Sequence, residues 1–452
     1  MKTHHKYKYI IISLLTVILA GCKKDWLDEK SDIARIVPTT MEDMRLLLND
    51  SDLQLSYTSL GEFSGDDVFL PPAVLSAATN MERNAYTWQK DIFAGSTGVL
   101  QWNTPYKQVL LTNVVLEGLE KIRPSADQQT EWNDLKGRAL FFRAKAFFDL
   151  VTLFAKPYNA QTASSDEGIP IRLKSDIHAP VVRASLEQSY SQILSDLQEA
   201  VRLMKPYTAL KTEPSKTSAN AFLARVYLSM NKYDKALAYS NECLKLYSTL
   251  IDYNSVVAGG SPFKAFNDET LFFSRHARLR VLPSSRVASE LYNTYDENDL
   301  RKTHFFSSSS GGGYTFKGSY TGSILPFGGF AVNEMYLTRA ECLARLGNPE
   351  GAVDDLNTLL VKRYKQGTFV PLVPGTADET LDIVLEERRK ELVFTGLRWL
   401  DLRRLNQDPR HARTLTRVVD GQSFSLPPGD PKYVFPIPDY IISSSNISQN
   451  PR

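Results

Sequence analysis

The sequence predicts a mainly α fold: repeated helix pairs separated by large loop-rich insertions. Apolar residues return at about the helical period of 3.6 over residues 101–121 (Val109, Leu110, Val114, Leu116, Leu119) and 131–155 (Ala139, Phe142, Ala146, Phe147, Leu150, Phe154). Two helix–turn–helix patterns superpose at a constant offset of 116 residues, with Ala224, Asn231 and Ala236 falling on Ala340, Gly347 and Ala352. The stretches at about 50–100 and 250–330 instead mix Gly, Pro and Ser with aromatic residues and carry no such period.

In chain order, residues 1–8 are basic and residues 9–20, YIIISLLTVILA, are almost wholly apolar. That run is shorter than the roughly 20 residues a spanning helix needs, and its flanks are those of a secretory signal. Leu19-Ala20-Gly21-Cys22 resembles a bacterial lipobox, in which the Cys is acylated and begins the mature protein. Lys23 at the next position, by resemblance to lipoprotein sorting rules, allows release to the outer membrane. Residues 1–21 are therefore expected to be a lipoprotein signal peptide. Residues 22–452 are expected to form one domain held to the membrane by lipid on Cys22.

Residues 23–40 read as a tether, with a helix at about 40–49 and long loops over 50–100. Helices follow at 101–121 and 131–155, the second limited by Pro157. A loop over 156–184 contains Gly168-Ile169-Pro170, and a helix over 185–204 opens on Ser185 with Glu187-Gln188 as its cap.

The two superposed patterns, within 185–247 and 331–364, resemble tetratricopeptide units. Small residues let paired helices approach, and Asn or Gly takes the turn, where positive φ costs little. Tyr227 and Tyr233 are expected to wedge between helices. A third, interrupted unit would join Ala144 and Phe147 to Tyr190, Ile193, Leu197 and Ala200 across the 156–184 loop. The helices at 101–121 and 131–155 are expected to form a further pair. The insertion at 250–330 holds Gly259-Gly260, SSSSGGG at 307–313 and Gly328-Gly329; loops of this kind on a repeat scaffold tend to carry binding residues. Residues 406–452 read as Pro-rich loop. Cys243 and Cys342 lie in helical patterns, either as a disulfide formed in an oxidising envelope or as two small buried thiols; a thiol at 243, where the repeat usually has Ala, favours the second.

Lys and Arg number 53 against 51 Asp and Glu, and Lys2, Lys6 and Lys8 leave with the signal, so the mature chain is close to neutral. That argues against a nucleic-acid partner, which draws its affinity from a basic surface. No G-x-S-x-G elbow, H-E-x-x-H pair or phosphate-binding glycine loop occurs. His178, His276, His304 and His411 are scattered without metal-ligand spacing. The carboxylate pairs Asp66-Asp67 and Asp354-Asp355 are adjacent in sequence and so do not face each other across a sugar as a glycosidase dyad must. No cofactor, metal or catalytic residue is implied.

Glu387 to Arg404, ERRKELVFTGLRWLDLRR, reads as a structural lock. Glu387 and Lys390 have helical pair spacing, Gly396 breaks the run, and Arg398 and Asp401 are placed to pair with one another. Three blocks together bring a family into view. This block resembles the C-terminal signature of SusD/RagB-type lipoproteins, although Thr395 stands where that family often has Glu. Phe435-Pro436-Ile437-Pro438 followed by Asn446 and Gln449-Asn450-Pro451 resembles their closing segment (386–452 with the first block), and Cys22 followed by Trp26-Leu27-Asp28 resembles their mature start. Trp102, Tyr106 and Asn113, and Tyr295 with Asp299 and Arg301, agree more weakly. The resemblance implies helical repeats packed against a variable half and residence on the outer-membrane surface. It also implies a SusC-like TonB-dependent transporter as partner, over which the lipoprotein acts as a lid, and a nutrient ligand, mostly a glycan.

Sugars present flat apolar faces and hydroxyl edges, which rigid aromatics and planar polar groups complement. Residues 57–106 interleave the two kinds. Tyr86 and Trp88 are expected to offer stacking faces, and Arg83, Asn84 and Asp66 to hydrogen-bond hydroxyls; the alternative for Trp88 and Tyr86 is a core position under a long loop. Trp102 and Tyr106 read as helical and inward. Tyr314, Phe316 and Tyr320 form a second candidate rim, with a ligand-free mobile loop as the alternative. Two other functions compete with a nutrient-binding lipoprotein: a tetratricopeptide scaffold for envelope proteins, and a surface glycoside hydrolase.

Overall fold

The computed structural model describes residues 38–452. The signal peptide, Cys22 and the Trp26-Leu27-Asp28 start lie outside the described residues. Sixteen α-helices account for most of the regular structure among the described residues. The first is α1 (Met41–Leu48), opened by a capping box between Thr40 and Asp43.

The stretch expected to be long loops instead contains three short helices: α2 (Leu60–Ser64), α3 (Pro72–Ala77) and α4 (Asn80–Tyr86). Their start signals are local. Pro72 takes the first helical position of α3, and Thr79 with Glu82 forms the capping box of α4. Each helix is too short for a periodic pattern to reveal it.

The scaffold continues with α5 (Leu100–Lys121), α6 (Gln129–Phe154), α7 (Leu186–Leu203), α8 (Lys216–Ser229) and α9 (Tyr233–Leu246). The loop-rich insertion contributes α10 (Ser289–Tyr292) and α11 (Leu300–Phe305), and the chain ends with α12 (Val332–Arg345), α13 (Pro349–Leu360), α14 (Ala377–Glu391), α15 (Arg398–Leu405) and α16 (Asp439–Ser445). Ser185 and Gln188 cap α7 reciprocally, at 3.1 and 2.9 Å.

Consecutive long helices pack side by side from α5 through α9, then α9 packs on α12, and α12 on α13 and α14. The pairs α5/α6 and α6/α7 are those expected from sequence. The two tetratricopeptide-like turns are built alike. Asn231 and Gly347 take φ of 57° and 80°. Lys232 N–H reaches Tyr227 O, and Asn348 N–H reaches Leu343 O, both at 2.9 Å. This is the Schellman closure, which satisfies the last helical carbonyls through a left-handed residue. Ala224, Ala340, Ala236 and Ala352 are fully buried where the helices meet. Tyr227 stacks on Tyr239 at 5.5 Å. Cys243 and Cys342 are separate buried thiols, and burial pushes both up from the ordinary thiol value.

The loop-rich segments are tied by two-stranded pairs rather than by a sheet. Val68–Phe69 pairs antiparallel with Arg286–Val287, joining the 50–100 stretch to the 250–330 insertion. Phe306–Ser308 pairs with Tyr314–Phe316. The C-terminal stretch is less irregular than expected: Leu415–Val419 and Gln422–Leu426 form a hairpin. Its two-residue turn is Asp420-Gly421, both at positive φ, a pairing that suits the twist of a tight hairpin.

Ala224→Leu inserts extra volume where α8 meets its neighbours. It is expected to cost about 1–3 kcal/mol, read as a lowered denaturant midpoint; an unchanged midpoint would show that the interface has slack.

Candidate functional site

The Glu387–Arg404 block is a lock, as its charge pattern suggested, but its pairing differs from expectation. Lys390 reaches Glu387 at 2.7 Å. Arg398 does not pair with Asp401. Asp401 is taken by Arg388 at 2.9 Å and Arg404 at 2.8 Å, while Arg398 reaches across to Asp66 with contacts of 2.6 and 2.9 Å. The tertiary fold brings Asp66 to Arg398, and a bidentate fork is the stronger geometry for a guanidinium.

The predicted stacking residues are core. Trp88 is 2% exposed and its indole N–H donates to Ser64 O at 3.0 Å. Tyr86 is buried, and its hydroxyl accepts from Leu70 N at 3.2 Å. The half-buried Arg417 guanidinium lies 3.9 Å from the Tyr86 ring and 4.5 Å from the Trp88 ring. A cation already occupies the position from which a ligand would stack. Asn84 folds back onto the carbonyls of Asp91 and Ile92, at 3.2 and 3.4 Å, and the exposed Arg83 reaches Leu75 O and Ser76 O at 3.4 Å. Neither side chain converges with Asp66. Of the second rim, Phe316 is buried on Phe394 with ring centres 4.7 Å apart, and Tyr320 is buried with its hydroxyl on Glu269 at 2.6 Å. Tyr314 alone of the three stays half-exposed.

Asp66 does lie at a cleft. Beside the strand pair that joins the two loop-rich stretches is a recess of about 460 Å³, lined by Asp66, Phe69, Tyr86, Glu290, Arg413 and Arg417 among others. Phe69 is 48% exposed at its edge. Tyr292, which closes the same helix that supplies Glu290, stacks on Tyr314 with centroids 3.6 Å apart and planes 11° apart. The side chain of Arg286, the strand partner of Phe69, runs against Gly313, next to Tyr314. Of the residues at the cleft, Phe69 falls in the aromatic 57–106 stretch although Tyr86 and Trp88 were preferred there, whereas Tyr292, Glu290, Arg413 and Arg417, which sequence reasoning missed, come from segments far from it in the chain; for Arg417 the one local signal is the Asp420-Gly421 hairpin turn.

The cleft carboxylates are engaged. Arg413 contacts Asp66 at 3.1 Å and Glu290 at 2.9 Å, and Arg389 reaches both at 3.2 Å. Burial pushes the Asp66 carboxyl up, but Arg398, Arg389 and Arg413 outweigh it and hold the group well below the usual carboxylate range. The Arg413 hydrogen bond lowers Glu290 as well. Neither is a raised-pKa acid of the kind that protonates a glycosidic oxygen. Among the described residues, no group of three or more His, Cys, Asp and Glu is placed to hold a metal ion, and no helix is long and apolar enough to cross a membrane.

Residues 25–228 match the family model described as "Starch-binding associating with outer membrane", and residues 332–452 match the model described as "SusD family". The chain belongs to the SusD/RagB family. A SusD-like protein of Formosa agariphila is 25% identical over 418 residues, covering 72% of this chain and 76% of the relative. The crystal structure of a SusD superfamily protein from Bacteroides thetaiotaomicron superposes with a TM-score of 0.74 at 22% identity, over 91% of this chain and 100% of that one. A structure described as a laminarin binding SusD-like protein superposes with a TM-score of 0.68 at 18% identity, over 91% and 98%. These SusD-type structures share the fold of repeat helices and loop-rich half.

Because Trp88 is core, Trp88→Ala is expected to cost about 3–5 kcal/mol of stability, measured by denaturant unfolding; a near-neutral change would place the indole outside the core. A second expectation concerns Glu62, buried in α2, whose carboxylate accepts the Gly396 N–H. Burial, then the neighbouring Asp67 carboxylate, pushes it up to about 8. In the unfolded chain it titrates near 4.3. The stability held by the neutral acid is therefore full below about pH 4 and is lost as pH rises towards about 8. Glu62→Gln should gain stability relative to wild type between about pH 5 and about pH 8; a pH-independent difference would exclude a buried neutral acid.

Proposed function

We propose that this SusD-family protein is a non-catalytic surface lipoprotein that captures a glycan in the Asp66–Phe69–Arg417 cleft and passes it to a SusC-like TonB-dependent transporter. The observation that carries the reading is the composition of the cleft. An exposed aromatic, Phe69, and the nearby Tyr292–Tyr314 stack flank guanidinium and carboxylate groups held rigid by ion pairs. Flat apolar faces beside fixed planar hydrogen-bonding groups complement a sugar ring. The family description supports the ligand class, as does the laminarin-binding relative of the same fold. The lowered carboxyls of Asp66 and Glu290 favour capture over hydrolysis, which needs one carboxyl kept protonated. Residues 1–21 would direct export, and acyl chains on Cys22 would hold the 22–452 domain at the outer membrane.

Screening the soluble protein, truncated after Cys22, against a glycan panel that includes laminarin tests the ligand class. For a glycan that binds, Phe69→Ala and Tyr314→Ala should each weaken affinity by about 1–3 kcal/mol, by analogy with stacking on other flat ligands, and leave Tm nearly unchanged. Wild-type affinity in both variants would move the site elsewhere. For the partner, affinity capture of the full-length lipoprotein from gently solubilised outer membranes should bring a TonB-dependent barrel with it; recovery of the lipoprotein alone would count against a stable complex.

A further inference from the structure

The loop-rich insertion segregates its charges. Residues 270–289 carry Arg275, Arg278, Arg280 and Arg286 and no Asp or Glu, and residues 300–333 carry no Asp or Glu either. Elsewhere the guanidinium groups meet carboxylates: Arg301 binds Asp299, Arg363 binds Glu269 and Arg404 binds Glu341. Among the described residues, Arg278, Arg280 and Arg286 meet none. The acids of the adjoining cleft are already engaged, Asp66 by Arg398, Asp67 by Arg389 and Glu290 by Arg413.

Arg286 stands beside the exposed ring of that cleft. It lies directly opposite Phe69 in the antiparallel pair, so the two side chains share one face of the ribbon, with Cβ atoms about 5 Å apart. The next pair, Val68 and Val287, is buried on the other face. The Arg286 guanidinium is held in place: Nε–H donates to Gly312 O at 3.0 Å and Nη1 to Ser284 O at 2.7 Å. Nη2 makes no hydrogen bond among the described residues, and the side chain is only half-buried. The glycines of the SSSSGGG run make room for it. A Cβ at Gly313 would stand 3.4 Å from Cδ, and one at Gly311 would stand 3.5 Å from Nη2. Arg280 lies six residues before Arg286, at most about 22 Å of chain away. It and Arg278 are exposed, and Leu279, buried between them, turns both outward.

A fixed guanidinium with free N–H groups and no carboxylate is a charge-assisted donor for an oxyanion. A neutral sugar on Phe69 would leave that charge unmatched; an acidic one would match it. We propose, on the footing that the Phe69 cleft captures glycans, that its glycan is acidic and carries uronate or sulfate groups. Arg286 pairs with one such group while the sugar ring packs on Phe69, and Arg280 and Arg278 meet others along the same glycan.

Calorimetric titration of the full-length, detergent-solubilised protein with matched polymers tests this: polygalacturonate and its methyl ester, dextran sulfate and dextran, laminarin sulfate and laminarin. The acidic member of a pair should bind at least about tenfold more tightly than the neutral one. That margin should narrow as salt rises from about 0.05 to about 0.5 M, which shortens the reach of charge. Preference within the galacturonate pair alone identifies a uronate, and within the sulfated pairs alone a sulfate ester. Arg286→Gln should cut the margin by about tenfold. The double variant Arg278→Gln, Arg280→Gln, which removes no contact within the protein, should also cut it and leave Tm unchanged. Equal binding of acidic and neutral members, or a margin untouched by Arg286→Gln and by the double variant, would overturn the acidic assignment and leave glycan capture standing. Absence of binding by every polymer, acidic and neutral, would overturn glycan capture itself.

Discussion

The buried carboxylate of Glu391, at the end of α14, is the junction on which the two halves of the molecule depend. It accepts from Arg301 at 3.1 Å, from Arg363 at 2.9 Å and from Asn333 at 2.9 Å. Arg301 belongs to the loop-rich insertion, Asn333 to a repeat helix, and Arg363 to the segment that follows the last repeat pair. Burial pushes Glu391 up, but Arg363 and Arg301 outweigh it and keep the group ionised. Taking these charges out of water is costly unless every one is matched. The surrounding groups match them: Arg301 also binds Asp299 and Glu387, and Arg363 also binds Glu269. A network satisfied in this way tolerates one arrangement, so it specifies how the halves meet as well as holding them together.

The same block sets the candidate glycan cleft. From α14 and α15, Arg389 and Arg398 extend the ionic lock to Asp66 and Asp67. Those two residues sit immediately before the Val68–Phe69 strand, so the lock positions the exposed Phe69 ring. On the other wall, Arg417 is pinned to the carbonyls of Phe63, Gly65 and Tyr86 and packed on two aromatic rings. Rigid polar groups lose little freedom when a ligand arrives, the economy that a flat, hydroxyl-rich ligand requires.

In the Phe69 cleft every carboxylate has a guanidinium partner: Arg389 and Arg413 each bridge Asp66 and Glu290, so the carboxylate charges of the cleft are balanced within the protein.

The sequence by itself determined what depends on neighbours within a few turns. The long helices were legible because their apolar period is local, and the paired turns because Asn231 and Gly347 stand where a left-handed residue is needed. The capping box at Ser185, the Glu387–Lys390 pair and the family blocks were legible for the same reason. The short helices α2 to α4 were not, because five to seven residues carry no period. Tertiary structure alone decided the site. Whether Trp88 offers a face to solvent depends on Arg417 arriving from more than three hundred residues away, and whether Asp66 meets a ligand or Arg398 depends on how α15 docks. Burial and ion pairing between distant segments are properties of the assembled chain, and no pattern at either segment encodes the other's position.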